Sequence, residues 1–450
     1  MRFLLAVGLL TVVGLAGCIG DDDADADELP APRAADDLDL PYWDSHPEFG
    51  YATYGADGEG LPDAWLPPAH RGLPDELGAL AHLTHVPGLG LAAGLVGQSD
   101  SGGGGGGAGI AVFGHHAYVG ATGGPLNVVD ISDPADPEVV GSLDVPMRDA
   151  ETIAYPDGRL ILVSTAGGGT VYVTDVTDPT APALLVEIEM AYTSHNLAVL
   201  PGTPILYNSP SSGVATDIWD LSDPEQPILA LDWENGAGCH DIMWYLNATE
   251  GKFRGYCAGI GVTQVWDITD ALDPKVISEI GLPDSTPLSI SHLAMVNHDA
   301  TVLVVGDETG GGGAPACDYY LENPVTGETQ SGPSGNLWFY DLADETAPQY
   351  VSRLSVAAYH SHATCTSHFG RIIEQTNHLA MSFYGAGVIL VDFNDVANPR
   401  IVDQWRPIGL DAAGPGITWD VWYYQGYLFT GDIQRGMDVL TIEAPLLPVA

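Results

Sequence analysis

The chain has 450 residues, with 13 Lys+Arg against 60 Asp+Glu and a formal net charge of −47. Binding a phosphate backbone needs clustered cations, so this composition argues against any nucleic-acid partner, while a hydrophobic content of 45% supports a large core and argues against disorder throughout. Acidic residues run the whole length rather than forming a tail, the pattern expected of a protein that works where concentrated salt screens self-repulsion.

In chain order, Met1-Arg2-Phe3 precedes an apolar run from Leu4 to Leu15, and Ala16-Gly17 precede Cys18. A basic n-region, a short h-region and small residues read as a signal peptide over 1–17, too short to stay as a spanning helix. Leu15-Ala16-Gly17-Cys18 resembles the lipobox of secreted lipoproteins, which implies cleavage before Cys18, lipid on its sulfur and residence at the extracellular face of the cell membrane. The acidic stretch Asp21 to Asp27 lies in an expected linker, 18–40, whose self-repulsion would hold a domain off a surface. Residues 41–109 read as an N-terminal extension ending in the glycine run Gly102–Gly107, which lacks the Lys and Ser/Thr of a phosphate loop.

From residue 110 one phrase recurs: Val128-Val129-Asp130-Ile131-Ser132-Asp133-Pro134, then Val173 to Pro179, Ile218 to Pro224, Val265 to Asp270, Phe339 to Asp344 and Leu390 to Asp395, with a truncated copy at Met437-Asp438-Val439-Leu440. The aspartates Asp130, Asp175, Asp220, Asp267, Asp341, Asp392 and Asp438 are spaced 45, 45, 47, 74, 51 and 46 residues apart. A period near 45 is one four-stranded propeller blade. Each unit reads as strand, turn, strand, strand, Asp-Pro turn, outer strand. The predicted fold is therefore all-β, a seven-bladed β-propeller over 110–445. The last copy lacks its outer strand, and Pro74-Asp75-Glu76-Leu77 resembles the segment that opens one. A strand near 74–83 is expected to close the ring and protect its edges. The long spacing holds an insertion near 310–334, read as a surface loop. Asp133, Asp178 and Asp223, each before Pro, read as Asx-turn residues rather than calcium ligands.

The phrase Val-Asp-Ile-Ser-Asp-Pro resembles the LVIVD-repeat proteins, a family of secreted β-propellers, over most of 110–442. Cys239-His240-Asp241-Ile242, Val305-Gly306-Asp307-Glu308, Cys365-Thr366-Ser367-His368, Trp422 to Tyr427 and Arg435-Gly436-Met437-Asp438 match beyond the repeat. The resemblance implies a secreted lipoprotein propeller from a halophilic archaeon. It implies no reaction, because fold does not carry function.

Counted back from the aspartates, Glu151, His195, His240, His292 and His368 fall at the start of each blade's first strand, with Trp419 and Asp420 in the last blade. First strands line the central channel, so these side chains are expected to meet at one mouth. One reading is a ring that binds a transition-metal ion, the one cofactor this pattern suggests. The other is a structural ring in which each imidazole bonds a neighbouring blade's backbone or a channel water. They are told apart by whether the side chains reach a common point at metal-ligand distance, about 2.0–2.2 Å. His115, His116, His298 and His378 fall at hairpin turns, and His360 and His362 at a blade connection. With Cys18 acylated, four cysteines remain, and an even remainder in an exported chain favours disulfides over zinc ligation. Cys239 and Cys257 share one hairpin; Cys317 and Cys365 would staple the insertion over the channel mouth. The expected function is a surface-anchored binding or scaffold protein for a protein, glycan or small molecule. The rival is a metal-dependent enzyme of unassigned reaction, with His195, His240, His292 and His368 as ligands and Glu151 as ligand or base.

Overall fold

A computed structural model describes residues 68–69, 71–74, 76–86, 108–121, 123–211, 215–260, 262–281, 290–308, 318–322, 329–333, 335–355, 366–406, 417–433 and 435–444, with 318–322 and 329–333 by backbone alone. The signal peptide, Cys18, the acidic linker, the glycine run, Cys317, His360, His362 and Cys365 lie outside the described residues.

The repeated aspartates make the turns their sequence requires. Asp130 Oδ1 accepts the N–H of Ser132 at 2.8 Å, Asp175 that of Thr177 at 2.8 Å and Asp392 that of Asn394 at 2.9 Å. The second aspartate of each phrase repeats the device: Asp133 accepts from Ala135 at 3.0 Å, and Asp178 from Thr180 at 3.0 Å. These paired Asx turns reverse the chain between third and fourth strands. In six blades the pairing of those two strands also carries a register shift at the same place, such as Val128/Val129 and Val173/Thr174. A bulge there increases the twist that a blade needs.

The molecule is a ring of seven four-stranded antiparallel blades. Blade one comprises Ile110–Phe113, His116–Val119, Leu126–Asp130 and Glu138–Leu143. Blades two to six cover 149–189, 196–233, 239–280, 291–354 and 370–405, and blade seven uses Thr418–Tyr424, Tyr427–Asp432 and Gly436–Glu443. Each first strand touches the first strand of the next blade, and the last touches the first, so first strands line the channel and the ring is closed.

Seven hydrophobic clusters hold it, one at each junction between neighbouring blades. Alternation along single strands produces this division. In blade two, Leu160 and Leu162 face blade one while Ile161 and Val163 face blade three. Inner strands are covered on both faces and read as continuous apolar runs. Outer strands are more open, and Glu138–Leu143 has no fully buried residue.

The fourth strand of blade seven comes from the N-terminal side: Ala79–Val86 pairs antiparallel with Gly436–Glu443, from Ala79↔Glu443 to Val86↔Met437. The closing strand is present as expected, beginning at Ala79 rather than near residue 74; Leu77 just before it is buried between blades six and seven. His82 and His85 of this clasp reach Asp438 at 2.9 and 3.1 Å, and Arg435 reaches it at 2.9 Å. Asp438 is not the blade's turn aspartate. The residue opposite the start of the second strand, held by Asp130 in blade one, is Thr441 in blade seven. The insertion contains a hairpin, Asp318–Glu322 paired with Thr329–Pro333, where a loop was expected. Its Tyr319-Tyr320-Leu321 run favours a strand despite the surrounding glycines. Cys239 and Cys257 form a disulfide with Cα atoms 5.4 Å apart. Among the described residues no helix is long and apolar enough to cross a membrane.

Candidate functional site

The residue entering each first strand occupies one level of the ring. Main-chain bonds define that level: Gly120 N–H to Gly109 O in blade one, Arg148 N–H to Thr165 O in blade two, His195 N–H to Ser209 O in blade three and His368 N–H to Ser382 O in blade six. In blades four, five and seven the equivalent residue sits in a register shift, between Cys239 and Asp241, Ser291 and Leu293, and Thr418 and Asp420. His240, His292 and Trp419 are therefore bulged residues, a device that re-aims side chains. The ring reads Gly109, Arg148, His195, His240, His292, His368, Trp419.

The side chains form a continuous arc. Ring centroids lie 4.3 Å apart for His195–His240, 4.2 Å for His240–His292, 3.9 Å for His292–His368 and 4.0 Å for His368–Trp419. Arg148 closes it, its Nη2 2.6 Å from His195 Nε2 and its guanidinium 4.8 Å from the Trp419 ring centre. Gly109 has no side chain to intrude, and a Cβ there would meet the carbonyl oxygen of Arg148 at 2.4 Å. Phe369 stands edge-on to His292 and His368, which with Tyr384 and Trp419 makes an apolar shoulder.

Glu308, just past the second strand of blade five, reaches the same mouth. Its Oε2 lies 3.6 Å from His240 Nε2 and its Oε1 3.8 Å from His368 Nε2, and Tyr384 donates its hydroxyl to Oε1. His368 Nδ1 donates to the carbonyl of Trp419 at 2.6 Å, which leaves the Nε2 lone pair turned toward Glu308. His292 is wholly buried, and neither of its ring nitrogens has a hydrogen-bond partner. One atom each from His240, His292 and Glu308 can be chosen so that all three lie within 4.8 Å of one another.

Burial dominates the electrostatics. It lowers His240 to about 3, with Arg148 adding to the effect, and takes His195, His292 and His368 well below the ordinary imidazole range. These rings are neutral at neutral pH, the form that binds metals. Burial pushes Glu308 up to about 7, opposed by the Tyr384 hydrogen bond and by Arg148.

Of the five candidate residues, His195, His240, His292 and His368 come together in one arc. Glu151 does not share their level: Arg148 holds the blade-two place, and Glu151 sits three residues along the strand, opposite Val163. A count back from the aspartates misses this because the first hairpin is longer in blade two, where Arg148 faces Thr165, than in blade three, where His195 faces Ser209. Glu151 belongs with a further group of carboxylates, Asp149, Asp241 and Asp420, all influenced by Arg371. Some of these stitch blades together: Asp149 Oδ2 accepts the N–H of Leu197 from blade three at 2.7 Å. His116, placed at a hairpin turn by the sequence, is buried where the second strand begins. Arg148, Glu308 and Tyr384 went unassigned from sequence. Glu308 stood inside a segment already marked by its family resemblance, and its signal is a carboxylate straight after an apolar strand and ahead of a glycine run.

Residues 104–145 match the model of the LVIVD repeat, a stretch that takes in blade one. No curated protein matches the chain. The chain is thus a seven-bladed β-propeller repeat protein whose first blade carries an LVIVD repeat.

Proposed function

We propose that this chain is a binding propeller of the cell surface, tethered by lipid on Cys18 and working in concentrated salt, with its ligand seat at the imidazole-lined channel mouth. The observation that carries the seat is His292, buried with two unpartnered ring nitrogens among three more imidazoles, Arg148 and Glu308. A buried polar group without a partner costs about 1–3 kcal/mol, so a ligand that bonds it gains that much over one bonding an exposed ring. The tether is supported by the n-region, the h-region and Cys18 with its acidic spacer, and the salt habitat by the charge of −47.

Native mass spectrometry of the full chain isolated from a high-salt host tests the seat. A bound mass should appear with the wild type and be absent with His292→Phe; no bound mass, with no small molecule or ion raising the melting temperature, would remove the seat. Incorporation of labelled lipid that survives Cys18→Ser would remove the tether. The second reading, a metal-dependent enzyme, has one observation in its favour. Tyr384 donates to the Glu308 carboxylate and Arg148 acts on it electrostatically, a hydroxyl and a cation that could hold a substrate.

A further inference from the structure

We propose that His240, His292 and Glu308 bind one divalent transition-metal ion, with His368 Nε2 next in line as a fourth ligand; this rests on the channel mouth being the ligand seat. At 3.6 and 3.8 Å the Nε2 atoms of His240 and His368 lie beyond hydrogen-bond range of the carboxylate. The shorter of these spacings is close to the ~3.4 Å edge of a tetrahedron with metal bonds of about 2.1 Å. The third ligand atom, from His292, lies within 4.8 Å of those of His240 and Glu308.

The surroundings orient ligands in the way metal sites require. His368 gives its Nδ1 proton to the Trp419 carbonyl, so its Nε2 lone pair is the one presented to the site, and that nitrogen has no other partner. A backbone carbonyl on the far nitrogen is the usual support of a metal-bound histidine. Tyr384 fixes Glu308 through Oε1, and the N–H of Glu308 donates to the Ile290 carbonyl at 3.0 Å. His292 is completely buried, with no bonded alternative to give up.

The same geometry sets the limits of the site. His195 is outside it, because Arg148 donates to its Nε2. Two imidazoles and one carboxylate suit zinc or iron(II), not calcium or magnesium, which take oxygen ligands. Three protein ligands leave a position open unless His368 fills it, and Arg148, whose charge is felt at His240 and Glu308, suits an anionic group there. A lone water bridging the same atoms is the competing occupant.

The test uses the folded full chain, stripped with chelator and kept in high salt, with Zn2+ and Co2+ as probes. Elemental analysis and titration should give one metal per chain, with visible Co2+ absorption. Removing a ligand should exceed the about 10–100-fold loss typical of an outer-shell partner, so Glu308→Gln should weaken Zn2+ binding by more than about a hundredfold and His292→Phe should abolish it. Glu151→Gln, at another level of the channel, should keep full stoichiometry. Near-ultraviolet circular dichroism and the melting transition verify that each variant is folded. Unchanged binding in folded Glu308→Gln and His292→Phe would overturn the metal site, as would a wild type that binds neither probe. If the wild type binds neither probe but His292→Phe loses a bound organic mass, the metal site falls and the channel seat stands. If no ligand of any kind depends on His292, both fall.

Discussion

Two carboxylates set into the channel wall, the half-buried Glu151 and the buried Asp420, make the stability of this protein fall with pH. Burial holds Glu151 up to about 8 and Asp420 to about 7, with the Asp149 carboxylate adding and Arg371 opposing in both. An unfolded carboxyl titrates near ~4, so between ~4 and the folded values the native chain keeps protons that the unfolded chain has released. Their contribution is complete below ~4 and is lost as the pH rises through about 8. Glu151→Gln cannot ionise and should flatten that decline. Melting temperatures across the window at fixed salt check this, and an unchanged slope would assign it elsewhere. The residue scale is also where the sequence was hardest to read. The imidazoles were visible as a repeat, but Glu308 and Tyr384 come from different blades and meet only through the ring.

Elements are joined here by close backbone approach and by one covalent bond. Gly109 enters blade one with the Arg148 carbonyl where a Cβ would stand, at 2.4 Å. Gly109→Ala must push blades one and two apart and should cost about 1–3 kcal/mol, the range for overpacking. Chemical denaturation at constant salt reads it out; a cost near zero would mean the junction can yield. The Cys239–Cys257 disulfide joins residues 18 apart in sequence, inside the hairpin that presents His240. Its removal by paired Cys→Ala changes should destabilise by about 3 kcal/mol on the loop-entropy model, and the same assay checks it. The hairpin pairing was legible because both cysteines fall in adjacent strands of one unit. The extra length of the blade-two hairpin was not, since turn length alters a count without altering the hydrophobic pattern.

The whole ring depends on a clasp, because blade seven is completed by a strand from the other end of the chain. Deleting residues 76–86 removes that strand, together with Leu77 and the His82 and His85 contacts to Asp438. The deletion exposes the edge of Gly436–Glu443 and should lower the melting temperature and promote association through that edge. Thermal scans with light scattering follow both effects, and an unaltered monomeric transition would mean the ring closes without its clasp. A charge of −47 adds a global term. Stability should rise with salt as screening reduces self-repulsion, and a melting temperature independent of salt would argue against the high-salt habitat.

The sequence by itself determined the repeat, the blade count, the Asx turns, the closing strand and the recurrence of histidine at the channel. Each is a local pattern repeated at one period, and a strand's period of two sends its side chains to the two neighbouring blades whatever the rest of the chain does. Only the tertiary structure decided that Arg148 rather than Glu151 completes the arc. It also decided that three ring residues are bulged, and that Glu308 joins His240, His292 and His368. Those facts depend on bulges, hairpin lengths and contacts between blades far apart in sequence, where shifts of one to three residues redirect a side chain and the hydrophobic period stays the same.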